Sequence, residues 1–83
     1  MDPIEQSIAS GQRVALLLRD EAMQQVFAAC EDAYERQWKT GASVEAREAA
    51  WAGYHALQEV KKRMQTVVDQ GHWAQIELDK RTQ

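Results

Sequence analysis

Few residues in this 83-residue chain are of types that do chemistry. There are two histidines (His55 and His72), one cysteine (Cys30), and an acidic strip of Glu31, Asp32 and Glu35. A zinc site draws four ligands from short, repeated spacings. Here the histidines stand 17 positions apart, with no H-E-x-x-H pair between them. A reactive thiol needs a base or a cationic setting. The spacing described below instead places Cys30 on the apolar side of a helix, where a thiol acts as a small filler. General acid–base work needs a carboxylate whose affinity for protons is shifted by burial, and the acidic strip is expected on a solvent face. The four glycines, at 11, 41, 53 and 71, are too scattered to form a phosphate-binding loop. These residues predict no enzyme, no cofactor and no metal.

Composition narrows the classes further. A hydrophobic fraction of 45% with 28% charged residues is that of a folded globular chain. The formal net charge is −3, and the only basic run, Lys61-Lys62-Arg63, is expected to be a solvated face, so nucleic acid is a disfavoured partner. The longest strongly apolar run, Val14-Ala15-Leu16-Leu17-Leu18, is far short of the roughly 18 residues of a membrane span. The opening Met1-Asp2-Pro3-Ile4-Glu5 does not resemble a secretory signal, and a lone cysteine suits a reducing compartment, so the expected location is cytoplasm.

The elements that would position these residues are helices. The one proline stands at position 3, and no segment alternates β-branched residues as strands do. Asp2-Pro3-Ile4-Glu5 is a helix start, with Asp2 as N-cap, Pro3 at the first helical position and Glu5 in a capping-box place. The pattern predicts a single all-α domain over 1–83: an N-terminal helix (about 3–18), then an antiparallel helical hairpin (about 21–38 and 44–70). Gly71 is expected to end the long helix as a left-handed cap, and a short C-terminal helix (about 72–80) follows. Asp20 and Ser43 are expected to cap the second and third helices.

Within the hairpin, apolar residues recur at steps of three and four. The predicted seam is Met23, Val26, Cys30 and Ala33 against Ala50, Gly53, Leu57 and Val60, with Met64 and Val67 continuing it for Val14–Leu18 to cover. Folding about the turn at 39–43 predicts Ala33 beside Ala50, Cys30 beside Gly53, Val26 beside Leu57 and Met23 beside Val60. Phe27, Tyr34, Trp38, Trp51, Tyr54 and Trp73 then fall beside the seam and are candidate interface residues. So much aromatic surface beside so small a core predicts a homo-oligomer or a protein partner.

From Ala15 to Leu78 the chain resembles a group of short helical proteins of tailed bacteriophages and prophages, encoded among virion structural genes. The residues that carry the resemblance are Leu16-Leu17, Asp20, Phe27, Trp38, Thr40, Arg47-Glu48 and Trp51, closing with Gly71, Ala74, Glu77 and Leu78. The resemblance implies a phage setting, in the host-cell cytoplasm or within the virion, and assigns no catalytic residues. The expected function is a non-enzymatic structural or assembly accessory that docks on head, portal or packaging proteins. The alternative is a small regulatory or host-takeover protein that binds and blocks a host protein. A DNA-binding packaging subunit is disfavoured by the net charge.

Overall fold

Helix boundaries follow from local chemistry. The Asp2 carboxylate accepts the backbone N–H groups of Ile4 and Glu5 at 2.8 and 3.0 Å, and Pro3, which has no N–H to leave unpaired, begins the helix. A computed structural model describes residues 1–82 as three helices, α1 (Pro3–Arg19), α2 (Glu21–Thr40) and α3 (Val44–Arg81), with no strand among the described residues. Asp20 alone separates α1 from α2; its backbone is extended, and its N–H closes the last turn of α1 on the Leu17 carbonyl. Ser43 caps α3 through a 3.1 Å bond from the Ala46 N–H to its hydroxyl.

The helices form two compact units, and α3 contributes to both. One unit is Glu21–Lys61, in which α2 and the first half of α3 fold as a hairpin. Here α2 runs on to Thr40, whose hydroxyl donates to the Arg36 carbonyl at 2.6 Å. Gly41 makes the turn possible by leaving room: a Cβ there would lie 2.6 Å from the Gln37 carbonyl oxygen. Its φ is not positive, so it is closeness, and not a left-handed backbone, that demands glycine.

The seam of this hairpin is rotated from the expected one. Ala50 is sealed at 1% exposure, and Met23, Cys30, Gly53 and Leu57 are half-buried, but Val26, Ala33 and Val60 are exposed. Phe27, Tyr34 and Tyr54, expected at the interface, are instead half-buried. Gly53 faces Tyr34, one helical turn from the expected Cys30, and a Cβ on Gly53 would lie 2.6 Å from the ring's Cζ. Rings remove more apolar area from water than valine or alanine does, so the hairpin turns its aromatic edge inward and seats one ring over the glycine.

The other unit pairs α1 with α3 from Lys62 onward. Its crossing point is bare backbone. Gly11 and Gly71 are both buried, and a Cβ on Gly11 would lie 2.9 Å from the Gly71 Cα and 3.2 Å from the Val67 carbonyl oxygen. This corrects the expected helix end: α3 continues through Gly71, and the separate helix at 72–80 is its last part. Gly71 serves close approach, since any side chain there would push α1 away. Around the crossing, Ile4, Ile8, Val14, Leu18, Met64 and Val67 are half-buried and Val68 is buried, whereas Leu16 and Leu17 remain exposed.

Each unit is a pair of helices, and a pair covers its side chains from one direction only. Ala50 and Val68 are therefore the only buried apolar side chains among the described residues.

Candidate interaction surfaces

At the closed end of the hairpin unit, the last turns of α2 and the first turns of α3 bring two tryptophans together. Trp38 and Trp51 are 52% and 56% exposed, too much for core residues and unusual for so large an apolar ring. With Tyr34, Tyr54, His55 and the sealed Ala50 they line an open hollow of about 440 Å³. The Trp51 and His55 rings stack at 4.0 Å with a 43° tilt, and Tyr54 meets His55 edge-on at 5.7 Å, so His55 is held as a flat wall of this surface. Glu35 and Lys39 stand at its rim. A second hollow of about 310 Å³ shares Trp38 and Trp51 and is bordered by Val44, Arg47 and Glu48.

The α1 unit has a surface of its own. Ile8, Ala15, Leu16 and Val68 surround the Gly11–Gly71 crossing and open a groove of about 430 Å³, with Arg19 and His72 as its only ionisable residues. Trp73, at 71% exposure, lies beside Ile76 and Glu77 on α3. Of the six expected interface residues, then, Trp38, Trp51 and Trp73 face solvent, while Phe27, Tyr34 and Tyr54 are part of the hairpin seam.

The electrostatics hold a correction. Glu31 and Lys61, both expected on solvated faces, form a half-buried ion pair at 2.7 Å between α2 and α3. The Lys61 ammonium also lies 5.6 Å from the centre of the Phe27 ring. The hydrogen bond from Lys61 holds the Glu31 carboxyl below the usual carboxylate range, against a weaker opposing push from desolvation. Gln58 adds a smaller lowering influence, although its buried Nε2 makes no hydrogen bond of good geometry among the described residues. A seam position filled by lysine was the available signal: Lys61 lies four residues after Leu57, and Glu31 follows Cys30. At the start of α1, the backbone N–H groups of Glu5 and Ile4 keep the Asp2 carboxyl below its ordinary value.

No cluster of three or more His, Cys, Asp or Glu residues that could hold a metal ion occurs among the described residues, and none of their helices is long and apolar enough to cross a membrane. Cys30 is a free, half-buried thiol. What these surfaces offer chemically is contact: broad aromatic and aliphatic area bordered by charges of both signs. No protein-family model, no curated protein and no solved structure matches the chain.

Proposed function

We propose that this protein is a non-enzymatic interaction module of a tailed bacteriophage, a structural or assembly accessory that docks through its exposed helical faces on head, portal or packaging proteins and associates with further copies of itself. The observation that supports docking is the exposure of Trp38, Trp51 and Trp73 beside a core in which, among the described residues, only Ala50 and Val68 are buried apolar side chains. Large apolar rings left in water beside shallow hollows are the mark of surfaces that another molecule covers. The phage setting rests on the spaced residues Leu16-Leu17, Asp20, Trp38, Arg47-Glu48, Trp51 and Gly71. On this reading the chain works in the host-cell cytoplasm and is carried into the particle or its precursor. Mass spectrometry of purified particles and assembly intermediates tests it, with many copies per particle expected. Absence from both, together with capture of a host protein on the Trp73 or Trp51 surface, would overturn it in favour of a regulatory protein.

A further inference from the structure

We propose that the aromatic end of the hairpin unit is where two copies of this chain meet about a two-fold axis, an inference that rests on reading the exposed tryptophans as interface. A two-fold contact requires one patch to be complementary to itself. This patch carries both shapes that such a contact needs. Trp51, more than half exposed, lines two hollows of about 440 and 310 Å³, so each copy offers both an exposed ring and a hollow that a ring can enter.

The charges fit the same symmetry. The rim holds two acids, Glu35 and Glu48, and two bases, Lys39 and Arg47. None of these four side chains makes an ion pair or hydrogen bond among the described residues. A strongly acidic or basic partner would call for a rim of one sign. A balanced rim lets the patch approach its own copy without repulsion, although the whole chain carries −3. An axis passing beside α2 between Glu35 and Lys39 sets each glutamate against the second copy's lysine. Trp38, Trp51 and Val44, each about half exposed, leave roughly 300 Å² of apolar area per copy to be covered, the centre of an interface at the small end of the range for specific contacts.

Sedimentation equilibrium on the full chain, with circular dichroism as the check on folding, tests this. The mass should rise from 9.5 kDa towards twice that over roughly 1 μM to 1 mM. Trp51→Ala should raise the dissociation constant at least about tenfold with helicity unchanged. Glu35→Lys alone and Lys39→Glu alone should each impair association, because each sets like charges together across the axis. Mixed one to one, these two variants should form a heterodimer, a result no contact within one chain can produce. A wild-type chain that remains at 9.5 kDa throughout, or variants that fail to pair when mixed, overturns the proposal. A monomeric chain still found in particles would refute the dimer and leave the accessory role standing; a dimer absent from particles and from their precursors would do the reverse.

Discussion

Replacing Gly11 by alanine sets two effects of opposite sign against each other, and the structure says which prevails. In an ordinary helix interior, Gly→Ala is stabilising by about 1 kcal/mol, because alanine loses less backbone freedom on folding. At Gly11 the new methyl would lie 2.9 Å from the Gly71 Cα, where ordinary contact begins near 3.4 Å, so the helices must part by about 0.5 Å (3.4 − 2.9). The neighbour is backbone and has no rotamer to yield with. Overpacking of this kind costs about 1–3 kcal/mol, and among the described residues of the α1 unit only Val68 is a buried apolar side chain with which to absorb the shift. The expected net effect is a loss of about 1 kcal/mol, a large part of what a chain this short can have. Urea unfolding followed by circular dichroism at fixed protein concentration measures it. The neighbouring exposed Ser10→Ala serves as control and should gain a few tenths of a kcal/mol. Gly71→Ala should also destabilise, and the double variant should lose less than the sum, because one widened gap admits both methyls. A Gly11→Ala chain more stable than wild type by the helix-propensity amount would refute the close crossing.

Two further outcomes follow from the hairpin and the caps. Glu31 and Asp2 titrate below their ordinary values of 4.5 and 3.8, so the folded state holds fewer protons than the unfolded one; their contribution is complete above those values and is lost as the pH falls through the lowered ones. Stability should therefore be level from neutrality to about pH 5 and decline below about pH 4, and Glu31→Gln should remove part of that decline; an unchanged acid profile in the variant would count against the Lys61 pair. Gly53→Ala should displace the Tyr34 ring, which as a side chain can swing away, so near-ultraviolet dichroism should change while helicity holds; retention of the wild-type near-ultraviolet spectrum would show that the ring does not sit over Gly53.

What could be read from the chain was whatever depends on near neighbours. Asp2 and Ser43 announce their helix starts because a cap acts within three residues, and the three-and-four recurrence of apolar residues is enough for helices. Rotation and register were out of reach for a specific reason. On α2, Val26 and Ala33 follow the same period as Phe27 and Tyr34, one position away, and periodicity alone cannot choose between two adjacent apolar stripes. Ring size chose, aided by the space at Gly53, and that space is visible only once the facing helix is in place. Gly71 misled in the same way. After a long helical pattern a glycine reads as a stop, and only the second glycine at position 11, sixty residues earlier, reveals it as a contact. Charge usually belongs in water, yet Glu31 and Lys61 each lie at a seam position where the opposite charge is in reach.

The two units differ in how far the chain must travel to close them. Tyr34 and Gly53 are 19 residues apart, whereas Gly11 and Gly71 are separated by 60. Joining the distant pair from an open chain costs about 1 kcal/mol more in loop entropy than joining the near one. The hairpin is therefore expected to close first, and once closed it has ordered most of the length that α1 must bridge. Of the three helices, α1 is in this way expected to be the last to find its place.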